Sequence, residues 1–183
     1  DRSDALVTIN AGMGGTESVR VMAEYDSAIA CFLQGRLDDA TTRLRRALDL
    51  PGAQYPIWRF YILGSLALVR AWTGHATEAL QLADAALSGA RVLDVANRPA
   101  VIHANLATAL AHLHHLELDR SAESLDMANL QNLRRPSNVV NMDLHRTVAA
   151  QLSTAAGDGP DALVALRRPA ASAARSMSGK SFC

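Results

Sequence analysis

Aromatic residues are scarce, 4% of 183, while alanine and leucine dominate, so the expected core is one of closely packed helices. Cysteine is rarer still. Cys31 and Cys183 stand far apart and form neither a metal-ligating nor a redox spacing, as in a reduced, cytoplasmic chain. Charge of one sign is missing too: 18 basic residues balance 18 acidic ones, which argues against a dedicated nucleic-acid or anionic-membrane surface. No apolar run reaches the length of a membrane span, and the first residues lack a basic-then-apolar signal pattern. The chain opens on Asp1 and stops at Ser181-Phe182-Cys183, which predicts a piece of a longer protein.

What the chain has is hydrophobic residues, 49% of the total, and a self-similarity. Setting Ala30–Leu50 above Val69–Gly89 brings Gly35 onto Gly74, Ala40 onto Ala79 and Ala47 onto Ala86. Upstream, Ala28 falls on Ala67. A third copy places Ala109, Leu116, Ser121, Leu125 and Ala128 at the matching positions. A fourth restores Gly157, Ala162 and Leu166, with Ala150 upstream, and then has Pro169 where an alanine is due. The copies run over 16–52, 56–90, 98–134 and 137–170, a period of roughly 40 residues, after a linker over 1–15.

Apolar spacing within the copies is helical. Leu37, Ala40, Leu44, Ala47 and Leu48 mark one helix face; Ala76, Ala79, Leu80, Ala83 and Ala86 mark another. Small residues allow two helices to approach closely, and glycine allows the sharp turn between them. With turn signals at Pro51-Gly52, Pro56, Pro99, Pro136-Ser137 and Gly157–Pro160, the pattern predicts about eight helices and no sheet.

The spacing Gly35/Ala40/Ala47 and Gly74/Ala79/Ala86 resembles the tetratricopeptide repeat signature. The long period and segments such as "FLQGRLDDATTRLRRALDL" look most like the helical repeat region of MalT-like LuxR-family transcription regulators, over Glu17 to Arg168. The resemblance implies an all-α, right-handed solenoid of about four antiparallel helix pairs. It also implies that the first helix of each pair lines a concave groove. Carried over position by position, that groove takes Met22, Tyr25, Ile29 and Phe32 from copy one and Tyr61, Gly64, Leu68 and Ala71 from copy two. Copy three gives His103, Leu106, Leu110 and Leu113, and copy four gives Leu144, Thr147 and Gln151. In such regulators an ATPase module precedes the repeats and a helix-turn-helix DNA reader follows; neither is visible in this chain.

The groove so defined is mostly apolar and lacks the Lys and Asn donors that clamp a carboxylate. It suits a protein partner, an apolar peptide or a small effector, and leaves self-association open. The expected role is a non-catalytic sensor or interaction module of a transcription regulator; the alternative is a free-standing assembly scaffold. No cofactor, no metal, no membrane and no direct nucleic-acid contact are expected.

Chemical motifs are few. His112, His114 and His115, followed by Glu117 and Asp119, match no zinc spacing and fall near a helix end, where histidine complements the dipole. His103 and His145 are isolated. The pairs Arg45-Arg46, Arg134-Arg135 and Arg167-Arg168 sit late in predicted second helices, as solvated faces. Ser178-Gly179-Lys180-Ser181 ends like a phosphate loop but has Ala174 where its first glycine is needed. At the other end, Gly12, Gly14 and Gly15 look like a nucleotide loop, yet no lysine follows and Glu17 puts negative charge where phosphate would sit. The loop reads instead as the entry to a helix capped by Thr16.

Overall fold

The computed structural model describes residues 15–94, 99–133 and 139–158. Among them there are seven α-helices and no strand: α1 (Thr16–Leu33), α2 (Leu37–Asp49), α3 (Pro56–Trp72), α4 (Ala76–Val92), α5 (Ile102–His114), α6 (Leu118–Leu133) and α7 (Val139–Ala155). Short 3₁₀ segments, Pro51–Gln54 and Pro99–Val101, lead into α3 and α5. The chain is all-α over this range. Helix α1 does begin at Thr16, but Gly15 holds the capping position and no side chain caps it, so Thr16 is the first helical residue and not the cap. Gly12, Gly14, the two later arginine pairs and the Ser178–Ser181 stretch lie outside the described residues, as does the second half of the fourth copy.

The odd-numbered helices end alike. After α1, the Gly35 N–H donates to the Phe32 carbonyl (3.0 Å) and the Arg36 N–H to the Cys31 carbonyl (2.9 Å). After α3, Gly74 and His75 make the same pair of bonds to Ala71 and Arg70; after α5, Leu116 and Glu117 make them to Leu113 and His112; after α7, Gly157 and Asp158 make them to Thr154 and Ser153. This is the Schellman arrangement, in which the residue just past the cap turns left-handed and two otherwise unpaired helix carbonyls are satisfied. The backbone agrees: φ is +75° at Gly35, +80° at Gly74, +90° at Gly157 and +59° at Leu116.

Helices α1, α3 and α5 each pack on the even helix that follows, and also on the next odd helix: α1 on α3, α3 on α5, α5 on α7. The core runs along these contacts. Alanines fill the closest places, among them Ala40, Ala47, Ala67, Ala79, Ala83, Ala86 and Ala109, all fully buried. Leu44, Ile62, Leu68, Val69, Leu106 and Val148 supply the bulk between them. Helices α3 and α5 come close at Gly64, where a Cβ would stand 3.0 Å from the Ala104 backbone nitrogen. Ser121 replaces an alanine in α6 without leaving its hydroxyl unsatisfied, donating to the Ala109 carbonyl at 2.8 Å.

Charge lies outside this core. Glu24 on α1 accepts from Arg43 and Arg46 on α2, at 3.2 and 3.4 Å. Glu78 on α4 accepts from Arg45 on α2 and Arg70 on α3, at 3.2 and 2.7 Å. Partial burial raises the Glu78 pKa, but the two guanidiniums outweigh it and hold the carboxyl below its usual range. Glu24 and Arg70 are partly buried in these pairs, but their partners reach the surface. Ion pairs there contribute about 0–1 kcal/mol each, so they orient the helices more than they hold them.

Candidate functional site

Four odd helices each contribute one polar side chain to a continuous hydrogen-bonded row. Ser65 in the middle of α3 lies 3.2 Å from the Tyr25 hydroxyl on α1 and 2.7 Å from His103 Nδ1 on α5. His103 Nε2 reaches Asn141 Oδ1 on α7 at 2.8 Å. Asn141 Oδ1 can only accept, so the proton of a neutral imidazole sits on Nε2 and leaves Nδ1 to accept from Ser65. Ser65 has a single proton, and with that proton committed to His103 the Tyr25 hydroxyl donates to Ser65. One tautomer thus sets the direction of the whole row.

The row stays uncharged near neutral pH. Burial lowers the His103 pKa below the ordinary imidazole value, partly offset by the bond to Asn141. Burial pushes the Tyr25 phenol up to about 12, with the Ser65 bond opposing and the neighbouring Tyr61 and Asp26 adding slightly. A fully bonded neutral row costs little to bury, whereas one charged member would strain the rest.

Aromatic rings sit at the α1–α3 end of the row. Tyr61 meets Tyr25 edge-on, with centroids 5.9 Å apart, and Trp58 lies 6.1 Å from Tyr61 in a tilted contact. All three are half-buried, and contacts of this geometry are worth about 0.5–1.5 kcal/mol beyond area burial. Met22, 42% exposed, and the half-buried Ile29 lie along α1 on either side of Tyr25 in sequence. The result is a partly exposed apolar patch on α1 and α3 at the Tyr25 end of the polar row.

The residues assigned to the groove divide by burial. Met22 is exposed, and Tyr25, Ile29, Tyr61, His103 and Leu144 are half-buried. Phe32, Leu68, Leu106 and Leu110 are core residues in this structure, Leu68 and Leu106 being 1% and 0% exposed, and offer no surface to a ligand. Phe32 instead packs edge-on against Trp72 at 5.8 Å. Gly64, Ala71 and Leu113 are likewise buried; Thr147 is half-buried and Gln151 exposed.

Ser65, Asn141 and Trp58 were not singled out by the repeat comparison. The reason is geometric. The row's members stand ten, nine, thirteen and sixteen residues ahead of their turn residues, so the row drifts across the helices and never occupies one aligned position. Its only sequence trace is a serine amid the apolar run Ile62–Val69 and an asparagine early in α7.

The sequence Ser65–His103–Asn141 has the order of a nucleophile, a base and an orienting amide. Ser65 is 2% exposed, so a substrate carbonyl cannot reach its hydroxyl in this arrangement. The other histidines are separately placed. His112 Nδ1 meets Glu117 Oε2 across the turn after α5, which with Arg120 holds Glu117 below its usual range despite some desolvation. His114 and His115 are exposed. His145 Nε2–H donates to the Leu125 carbonyl at 3.2 Å, and burial lowers its pKa. Among the described residues no three His, Cys, Asp or Glu side chains could jointly hold a metal, and no helix is long and apolar enough to cross a membrane.

Comparison with family models, curated proteins and solved structures finds no match.

Proposed function

We propose that this chain is a non-catalytic, tetratricopeptide-like binding module, a right-handed solenoid of about four antiparallel helix pairs. In this reading it is the cytoplasmic sensor or interaction part of a transcription regulator similar to the MalT-like LuxR family. Four like turns, each closing an odd helix, and the packing of odd helix on odd helix support the architecture. The observation that carries the binding role is the row Tyr25–Ser65–His103–Asn141 with the aromatic group Trp58 and Tyr61 at its Tyr25 end. A row that spans four helices fixes the surface beside it, and preorganised surfaces lose less entropy on binding. The occupant is an amphipathic helix or small effector with an apolar face.

Two measurements test the reading. The gene on either side should encode an ATPase module upstream and a helix-turn-helix downstream; flanks with neither sink the regulator role. An array of synthetic amphipathic helical peptides should contain members that bind the chain and lose binding at least tenfold to the Trp58→Ala, Tyr61→Ala double variant, with helix content retained. Equal binding by the variant, or no binding peptide at all, overturns the assigned face.

A further inference from the structure

A cavity lies away from the polar row, between the start of α3 and the end of α4. Gln54, Pro56, Arg59, Phe60 and Leu63 form one wall; Ala85, Gly89, Val92 and Leu93 form the other. Its volume is about 440 Å³, within the span of small-ligand sites. The wall is apolar save at the mouth. Val92 and Leu93 are exposed there, at 84% and 49%, a cost in water that a bound apolar body would relieve.

Arg59 supplies the charge. No acidic residue stands in the first turn of α3, and among the described residues the Arg59 guanidinium makes no ion pair or hydrogen bond. The other arginines that border α3 are engaged, Arg45 and Arg70 by Glu78. An apolar cavity with one uncommitted, permanently charged fork at its mouth has a definite complement. We infer that this cavity binds a small amphipathic anion, a carboxylate on an unbranched apolar body, with the carboxylate on Arg59 and the chain along Phe60, Leu63 and Val92. The cavity lining includes Arg59 and Phe60 but neither Trp58 nor Tyr61, although Tyr61 packs against the same buried cluster as Phe60.

Decanoate is the test ligand, with decanol as the uncharged body and acetate as the bare head. Calorimetry on the whole chain should show decanoate binding well ahead of both. Arg59→Gln should weaken decanoate about five- to tenfold and leave decanol within twofold. Ala85→Trp, a change at an exposed position of the far wall, should fill the cavity and remove decanoate binding. Both variants alter exposed residues, and circular dichroism checks that they fold. Absence of decanoate binding to the wild-type chain overturns the inference. So does undiminished binding by Arg59→Gln, which would leave the anion without its partner, or by Ala85→Trp, which would place the ligand elsewhere.

Discussion

Helices α3 and α4 are joined through Gly74, and helices α5 and α6 through Leu116. The two turns make the same hydrogen bonds, within 0.1 Å of one another, although one residue is suited to a left-handed backbone and the other is not. The same contrast recurs inside the pairs. Aligning the turns sets Gly64 against Leu106 and Ala79 against Ser121. Gly64 lets two helix backbones approach; Leu106 fills the space such an approach would close. Ser121 buries a hydroxyl where Ala79 buries a methyl, and spends it on the Ala109 carbonyl. The packing of helix on helix therefore dictates backbone shape, and several residues satisfy it by different means.

The largest expected effect separates core from surface. Leu106→Ala should cost about 2–5 kcal/mol in urea denaturation, the range for a fully buried leucine that leaves a cavity. A loss under about 0.5 kcal/mol would return Leu106 to the solvent-facing role that its repeat position implied. The reciprocal change, Gly64→Leu, should cost about 1–3 kcal/mol or more, because the new side chain meets the α5 backbone at Ala104. Measuring both tests whether the two pairs differ as described, since a tolerated Gly64→Leu would mean that α3 and α5 can separate freely.

Much of this was legible beforehand. Alanine and glycine spacing located the turns at Gly35, Gly74 and Gly157, and even placed Leu116 opposite them, a residue no turn rule would choose. Helical periodicity identified the buried alanines. Two things were not legible. Burial of the first helices was one: with neighbours on several sides, Leu68 and Leu106 have no face left for solvent, and a periodic pattern cannot show how many sides are covered. The polar row was the other. It joins side chains 38 to 40 residues apart at drifting positions, so neither local spacing nor repeat alignment brings Ser65 beside His103.

Acidity should break the row next. His103 and His145 both have pKa values lowered by burial. The unfolded chain then binds more protons than the folded one as pH falls through about 6.5, so stability declines on acidification below that point. Denaturation midpoints between pH 7 and 5 should fall for the wild type and fall less for His103→Gln. Glu78 and Glu117 add their own loss only below about 4.5, where carboxylates titrate, which separates the two contributions. At the alkaline end, Tyr25 keeps its proton to about 12 while the unfolded phenol loses it near 10, so stability should drop again between those values. A flat profile from pH 7 to 5 would mean that His103 is not buried neutral.

The smallest effect is the most direct probe of the two turns. Neither change touches packing: a Cβ at Gly74 would meet nothing within 4 Å, and Leu116 is 77% exposed. What remains is backbone conformation. A left-handed residue with a Cβ costs about 1–2 kcal/mol, and glycine escapes that cost while adding entropy to the unfolded chain. Gly74→Ala should therefore destabilise by about 1 kcal/mol, and Leu116→Gly should stabilise by somewhat less than that, against the usual direction for glycine in a folded protein. Opposite signs in paired denaturation curves are the expected result. Should both variants lose stability, Leu116 must be held by more than its turn, and its exposed side chain would then be doing work outside the contacts described among these helices.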